Sequence, residues 1–130
     1  MNTNKIKRGE IYNVCLDPAF GMELAGFKHR PVIVVSVNSL HDETQVITVV
    51  PGTDGTDRAA FKNGVVVHPD EVNVYLNSTN PLLKETLFQC HQIRTISHGR
   101  FTQRSRGRLP EEVMERIESG VRYCLGLGPE

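Results

Sequence analysis

The segment Arg30-Pro-Val-Ile-Val-Val-Ser36 is the strongest indication of the fold in this sequence. A run of β-branched residues follows the proline, and such residues favour extended backbone. An uninterrupted apolar run of this length is typical of a strand that is buried on both faces. We therefore predict a central strand from Pro31 to Val37, preceded by a loop at Ala19–Lys28 that is rich in small residues.

Further strands are predicted on both sides of this segment. Runs rich in Val, Ile and Thr, some of them alternating apolar with polar residues, are typical of strands. They lie at Gly9–Leu16, Gln45–Val50, Gly64–His68, Val72–Leu76 and Leu87–Ile96. The dipeptide Pro51-Gly52 is predicted to end the strand before it, and the polar stretches Asn38–Thr44 and Thr53–Asn63 are predicted to be a turn region and a loop.

The periodicity changes at the C-terminal end of the chain. From Val113 to Leu125 apolar residues recur at helical spacing, with Pro110 predicted at the first helical position and Gly126 predicted to end the helix. The 130 residues are expected to form one domain, spanning 1–130. We predict a mainly β fold with a C-terminal helix, in the form of an SH3-like antiparallel barrel.

The charges are balanced in number but not in position. The chain has 15 Lys+Arg and 15 Asp+Glu, which excludes a uniformly basic nucleic-acid-binding surface. Between Thr86 and Pro110, however, there is no acidic residue. The cationic and histidine side chains of that segment are His91, Arg94, His98, Arg100, Arg104, Arg106 and Arg108. Such a one-sided cluster favours a polyanionic partner, and a solvated arginine-rich surface is the other interpretation.

Several classes of site are not indicated by the sequence. The three cysteines, Cys15, Cys90 and Cys124, are far apart and lack zinc-ligand spacing, which favours reduced thiols and a cytoplasmic location. The polar N-terminal stretch does not resemble a signal peptide, and no apolar run is long enough to cross a membrane. Because phosphate-binding glycine-rich loops and serine elbows are also missing, we expect a reaction without metal or cofactor.

Cleavage of RNA is one reaction that needs neither a metal ion nor a cofactor. The 2′-hydroxyl of RNA can attack the adjacent phosphorus, and the enzyme must then stabilise the added negative charge. Arg30 suits that task because its guanidinium binds two phosphoryl oxygens and stays charged. The alternative interpretation is a structural ion pair with Glu23 or Glu10. Thr53 could hold a phosphate oxygen through its hydroxyl, or it could be an ordinary turn-forming threonine.

A second group of polar residues lies in the last predicted strand. Gln92 and Arg94 are two positions apart, so in a regular strand they share one face while Ile93 faces the core. His91 would lie on the opposite face. Its near-neutral ordinary pKa makes it a candidate acid or base, and an ordinary surface or core histidine is the alternative.

The ordered set of motifs resembles the MazF/PemK family of bacterial toxins from toxin–antitoxin pairs. The motifs that carry the resemblance are Arg8-Gly-Glu-Ile-Tyr12, Leu16-Asp-Pro18, Gly21-x-Glu23-x-x-Gly26, Arg30-Pro-Val-Ile-Val-Val-Ser36, Val49-Val-Pro-x-Thr53 and Gln92-Ile-Arg-Thr-Ile96. They occur in the family's order and cover nearly the whole chain. The chain departs from the family pattern at Leu24, in the longer Phe27-Lys28-His29 connection, at His91 and in the segment Asn73–Lys84.

The resemblance implies a homodimeric, SH3-like barrel that cleaves single-stranded RNA at a short sequence without a metal. It implies that Arg30 and Thr53 are catalytic and that Glu23, His91, Gln92 and Arg94 lie in the RNA-binding site. It also implies a small antitoxin protein as partner. A gyrase poison of the CcdB kind and a non-catalytic RNA-binding module are the alternatives. The chain has no tryptophan, which counts against the first of these.

Overall fold

The computed structural model describes residues 6–16, 29–54, 61–62, 65–66, 73–76 and 86–127. The strands in these ranges are β1 (Glu10–Val14), β2 (Arg30–Val34), β3 (Val46–Asp54), β4 (Phe61–Lys62), β5 (Val65–Val66), β6 (Asn73–Leu76), β7 (Thr86–Gln89), β8 (Arg94–Ser97) and β9 (Gly107–Arg108). The helices are α1 (Asn38–Thr44) and α2 (Glu111–Leu125), with 3₁₀ turns at Cys90–Gln92 and His98–Arg100.

One antiparallel sheet dominates the fold. Its strand order is β6-β7-β3-β2-β1-β9, with β8 pairing to β3, while β4 and β5 form a separate two-stranded pair. The central strand predicted from Pro31 to Val37 is β2, which lies between β1 and β3. The predicted mainly β fold with a C-terminal helix is confirmed.

Alternate residues of the central strands enter two separate apolar cores. The helix-side core lies under α2 and contains Ile11, Ile33, Val50, Phe88, Cys90, Leu109, Met114 and Ile117. The Phe101-side core lies on the other face and contains Ile6, Tyr12, Val14, Leu16, Val32, Val34, Ile47, Val49, Ile96 and Phe101. In β2, Ile33 points to the first core while Val32 and Val34 point to the second, as expected for a pleated strand.

Helix α2 follows the predicted apolar periodicity. Met114 and Ile117 are buried, and Val113 and Val121 pack partly buried against the same core. Gly126 ends the helix in a left-handed conformation with φ 70°, which a residue without a Cβ adopts easily. Pro110 is the residue before the first turn rather than the first helical residue.

Arg8 joins α2 to the sheet. Its guanidinium donates hydrogen bonds to the Val35 carbonyl oxygen and to the Glu118 carboxylate of α2. Its backbone N–H donates to Asn38 Oδ1 at 2.7 Å. One residue at the start of β1 therefore contacts the end of β2, the start of α1 and the helix.

The prediction of a turn region at Asn38–Thr44 is wrong, because these residues form α1. The helix is anchored by His41, whose side chain is 0% exposed. His41 Nδ1 donates to the Ile6 carbonyl oxygen at 2.9 Å, and Ser36 Oγ lies 2.7 Å from Nε2. The Thr48 backbone N–H in turn donates to Ser36 Oγ at 3.1 Å. These tertiary hydrogen bonds stabilise a short polar helix that local propensity does not predict.

The prediction of one strand from Leu87 to Ile96 is also wrong in its middle. Arg94 lies opposite Val49, and Phe88 lies opposite Gly52. From Phe88 to Arg94 the chain advances six residues, whereas β3 advances only three between their partners. The three extra residues form the 3₁₀ turn Cys90–Gln92, called the 90–92 turn below. The turn divides the strand into β7 and β8, which pair with successive parts of β3.

The dipeptide Pro51-Gly52 does not end its strand, since β3 continues to Asp54. Pro51 lies where the neighbouring strand is interrupted by the 90–92 turn, and proline is tolerated where a ladder N–H is not required. Gly52 allows β7 to approach closely. A Cβ at this position would lie 2.7 Å from Thr86 Cγ2 and 3.1 Å from Phe88 Cδ1.

The middle of the chain agrees with two predictions and contradicts a third where it is described. The strand expected at Gly64–His68 is seen at Val65–Val66, paired with Phe61–Lys62, and the strand expected at Val72–Leu76 is β6. The loop expected at Thr53–Asn63 is wrong at both ends, because β3 and β4 occupy them. Residues 55–60 lie outside the described residues.

Candidate functional site

Arg30 is the first residue of β2 and lies at the end of the central strand. It is half-buried and lies opposite Val14 of β1, a member of the Phe101-side core. Cross-strand partners point to the same face of a sheet, so Arg30 lies on that face at its edge. The paired residues of β2 and β3 end at Val32 and Pro51. The pairing therefore stops short of Arg30 and of Thr53, whose backbone pairs with Leu87 of β7.

The 90–92 turn places two predicted site residues beside this position. The turn spans the gap in the ladder next to Val50 and Pro51, and Pro51 is two residues from Thr53. Within the turn His91 is exposed and Gln92 is half-buried. Cys90, which begins the turn, is buried in the helix-side core and fixes it there.

Arg94 begins β8 immediately after the turn. It is half-buried and lies opposite Val49, on the same sheet face as Ile96 of the Phe101-side core. The expectation that Gln92 and Arg94 share a regular strand face is wrong, because Gln92 belongs to the turn and only Arg94 belongs to the strand. A break in the alternation of Gln89-Cys90-His91-Gln92 is the sequence signal that could have indicated the turn.

The structure therefore brings together two groups of predicted residues. Arg30 and Thr53 each lie two residues along the chain from the same end of the β2–β3 pairing, and the turn with His91 and Gln92 lies beside Val50 and Pro51 of β3. Arg94 lies further along, level with Val34 and Val49. Glu23 lies outside the described residues. A cation beside amide and imidazole groups is suited to binding a phosphodiester and its neighbouring bases.

Arg100 is a residue that the sequence indicated only as part of the cationic cluster. Its Nη1 donates to the Cys15 carbonyl oxygen at 2.9 Å, one residue beyond Val14, which is the partner of Arg30. The 3₁₀ turn His98–Arg100 carries it there. No local sequence pattern indicates this contact, because it joins residues 85 positions apart.

Two side chains near these strands have shifted pKa values. Burial, followed by the hydrogen bond to and the charge of Glu10, raises the pKa of Tyr12, whose hydroxyl donates to Glu10 Oε1 at 2.9 Å. Burial raises the pKa of the Cys90 thiol to about 12, with a smaller contribution from Cys124. Cys15, Cys90 and Cys124 form no disulfide bond. A thiol of such high pKa stays protonated and unreactive near neutrality.

The described residues contain neither a metal-binding cluster nor a membrane-spanning helix. In those ranges, no three His, Cys, Asp or Glu side chains come together as a group that could hold a metal ion. Within the same part of the chain, no helix has the length and apolar character needed to span a membrane.

Comparison with known proteins identifies the family. Residues 7–125 match the family described as PemK-like, MazF-like toxin of type II toxin-antitoxin system. The chain is 31% identical over 112 residues to the endoribonuclease PemK of Escherichia coli, covering 86% of this chain and 76% of that protein. It is 25% identical over 122 residues to the endoribonuclease MazF of Staphylococcus epidermidis, covering 94% and 92%. The chain therefore belongs to the PemK-like, MazF-like toxins.

Solved structures agree on the fold. A crystal structure of MazF from Deinococcus radiodurans superimposes with a TM-score of 0.71 at 18% identity, covering 92% of this chain and 96% of that one. A mycobacterial endoribonuclease in complex with its cognate antitoxin superimposes with a TM-score of 0.68 at 18% identity, covering 94% and 96%. The predicted barrel of the MazF/PemK type is confirmed.

Proposed function

We propose that this chain is a toxin endoribonuclease that cleaves single-stranded RNA at a short sequence and is neutralised by a cognate antitoxin. The proposal is supported by the match across residues 7–125 and by relatives from two organisms that are named endoribonucleases. The observation that supports it most is that Arg30 and Thr53 follow the same end of the β2–β3 pairing, next to the 90–92 turn. In our proposal Arg30 is the permanent cation that binds the phosphodiester.

The reaction follows from the chemistry of RNA. The 2′-oxygen forms a bond to phosphorus and loses its proton, the bond from phosphorus to the 5′-oxygen breaks, and that oxygen gains a proton. The products are a 2′,3′-cyclic phosphate and a 5′-hydroxyl. Arg30 stabilises the charge that develops on the non-bridging oxygens, and Thr53 holds one of those oxygens. Preorganised donors of this kind are among the largest contributions to catalysis, and no step in this scheme needs a metal ion.

The remaining predicted residues bind the RNA. His91 and Gln92 lie on a turn that leaves the sheet, so their side chains can reach unstacked bases, which single-stranded RNA presents. Arg94 attracts the phosphate backbone of the same RNA through its charge. Glu23 lies outside the described residues and is assigned to RNA binding by its position in the family motif alone.

The antitoxin and a second copy of the chain are the proposed protein partners. The mycobacterial endoribonuclease and Deinococcus radiodurans MazF have both been solved in complex with an antitoxin. An acidic antitoxin segment would compete with RNA for the same cations. The homodimer is checked by measuring the mass of the purified protein in solution by light scattering.

The decisive experiment is digestion of a long single-stranded RNA in excess chelator. We expect discrete cuts at one short sequence, with cyclic phosphate on the upstream fragment. A requirement for added metal would contradict the proposed chemistry. Absence of cleavage by folded protein free of antitoxin would contradict the function itself.

Variants of Arg30 test its assigned role. Arg30→Ala is expected to lower the cleavage rate about 100- to 1,000-fold without unfolding the protein. Arg30→Lys keeps the charge but loses the two-pronged donor, so it should restore only part of the rate. Arg116→Ala on the exposed side of α2 removes the same charge elsewhere and serves as the matched control. Near-full activity of Arg30→Ala would show that another group stabilises the charge.

A further inference from the structure

Four arginines follow the side of β1 that faces away from β2 and are called here the arginine edge: Arg100, Arg104, Arg106 and Arg108. Arg108 lies opposite Glu10 at the start of β1. The Arg106 backbone N–H donates to the Ile11 carbonyl oxygen at 2.7 Å. The Arg100 side chain reaches the Cys15 carbonyl oxygen beyond the other end of the strand. The arginine edge is therefore tied to β1 at both ends, over about 16 Å at the usual rise per strand residue.

The arginine edge is exposed for most of its length. Arg104, Arg106 and Arg108 are exposed, and Arg100 is half-buried where its guanidinium contacts Cys15. All the permanent cations from Thr86 to Pro110 are arginines, with no lysine and no acid among them. Arginine binds phosphate through two parallel hydrogen bonds, which lysine cannot form. The residue type therefore favours a ligand that offers paired oxygens, as phosphate and carboxylate groups do.

One end of the arginine edge meets the candidate site. Arg100 contacts Cys15, the neighbour of Val14, and Val14 is the partner of Arg30 across β1 and β2. If one phosphate of a polyanion binds at Arg30, its neighbouring phosphates would therefore lie near the arginine edge. RNA is such a ligand, because it carries one phosphate per nucleotide along a continuous chain.

We propose that the arginine edge is an extended RNA subsite that binds phosphates outside the segment where cleavage occurs. The proposal rests on the proposed endoribonuclease function and adds a dependence on RNA length. A short RNA that covers only the cleavage sequence binds at Arg30 and the 90–92 turn. A longer RNA also reaches the arginine edge, binds more tightly and releases more counterions.

The test compares binding of two RNAs to one double variant. Both RNAs carry a 2′-deoxy nucleotide at the mapped cleavage position, so neither can be cut, and one extends beyond the other on both sides. Arg104→Gln/Arg106→Gln removes two exposed charges and keeps the backbone hydrogen bond to Ile11. Arg116→Gln/Arg122→Gln removes two exposed charges from α2 and is the matched control.

For the long RNA, the slope of log affinity against log salt concentration should fall by about 0.7 for each phosphate that the double variant no longer binds. The short RNA should bind the double variant as it binds the unmodified protein, and the control should leave both RNAs unaffected. Arg104→Gln/Arg106→Gln should keep the thermal midpoint of the unmodified protein. If it does not, Arg104→Gln alone is measured in the same way, with half the change in slope expected.

Three outcomes would overturn the proposal. The long RNA could keep its affinity and salt slope, or both RNAs could weaken equally. In the third outcome, RNA binding stays unchanged while inhibition by the antitoxin weakens, which would assign the arginine edge to the antitoxin. Failure of the endoribonuclease function is a separate result, because it is the absence of cleavage by the unmodified protein. The arginine edge can still be tested in that case with unmodified single-stranded RNAs of two lengths.

Discussion

The two faces of the sheet are built from alternate residues of the same strands, yet they differ in chemistry. The helix-side core under α2 is apolar throughout. The opposite face is equally apolar at its centre, but Arg30 and Arg94 lie at its edges, opposite Val14 and Val49. A strand such as β2 can therefore stabilise the fold through Ile33 and present Arg30 at its end. The comparison teaches that stability and the proposed chemistry can be altered separately.

The largest expected effect comes from the helix-side core. Ile117→Ala removes a fully buried side chain and should lower the free energy of unfolding by about 2–5 kcal/mol. The cleavage rate per folded molecule should stay unchanged, because the helix-side core includes neither Arg30 nor Thr53. Urea unfolding and single-turnover cleavage measure the two quantities. If Ile117→Ala lowered the cleavage rate as much as Arg30→Ala, stability and cleavage would not depend on separate faces of the sheet.

The next effect concerns Gly52, the residue at which β3 begins to pair with β7. Gly52→Ala puts a Cβ 2.7 Å from Thr86 Cγ2 and should cost about 1–3 kcal/mol of stability. It should also displace β7 and slow cleavage, since β7 leads into the 90–92 turn. Thr86→Ser removes that methyl group and keeps the hydroxyl, so the double variant should recover part of both losses. No recovery in the double variant would mean that contact with Phe88 dominates.

A pH series tests whether Cys90 keeps its proton in the folded protein. Its thiol is in the helix-side core, and its backbone begins the 90–92 turn. Its pKa is raised from 9.0 to about 12, so between those values the unfolded chain loses a proton that the folded chain keeps. Rising pH then favours unfolding, by about 1.4 kcal/mol per pH unit for one proton.

The measurement is urea unfolding at pH 8 and pH 10, with Cys90→Ala as the reference. The unmodified protein should lose more stability between the two pH values than the variant loses. Tyr12, whose pKa is also raised, contributes equally to both proteins and cancels. Equal losses in the two proteins would show that Cys90 does not keep its proton.

The smallest effect is expected at the surface of the helix-side face. Glu118→Gln removes the charge that Arg8 contacts and should change the free energy of unfolding by less than about 1 kcal/mol, since both side chains are partly exposed. Raising the salt concentration should reduce even that difference. A loss of several kcal/mol would show that Arg8 holds α2 on the sheet mainly through this ion pair.

Local patterns predicted the regular elements well. The apolar run after Pro31 and the helical spacing from Val113 identified β2 and α2, because hydrophobic periodicity reports directly on which faces are buried. They failed at α1, at Pro51-Gly52 and at the 90–92 turn. In each case a contact with a distant residue decides the conformation. Ile6 accepts a hydrogen bond from His41, and β7 packs closely on Gly52. Pairing with β3 leaves the three residues of the 90–92 turn without a place in the strand.

The sequence proposes the residues of the candidate site, but it does not indicate how they are arranged. Arg30, Thr53, Gln92 and Arg94 were singled out by residue type and family motif, and their catalytic and binding roles stay predictions. The sequence could not show that Gln92 and Arg94 occupy different elements, or that Arg100 reaches Cys15. The chemistry of a side chain follows from its residue type, whereas the strand register decides which side chains lie close together.

By itself the sequence determined which residues are apolar, where the arginines are concentrated and which family the chain resembles, because these are properties of composition and order. Only the tertiary structure decided that Arg30 and Thr53 follow the same end of the β2–β3 pairing, that a three-residue turn lies next to it and that the arginine edge follows β1. The physical reason is that backbone hydrogen bonding between distant strands sets the register. A shift of one residue would turn each side chain to the opposite face of the sheet.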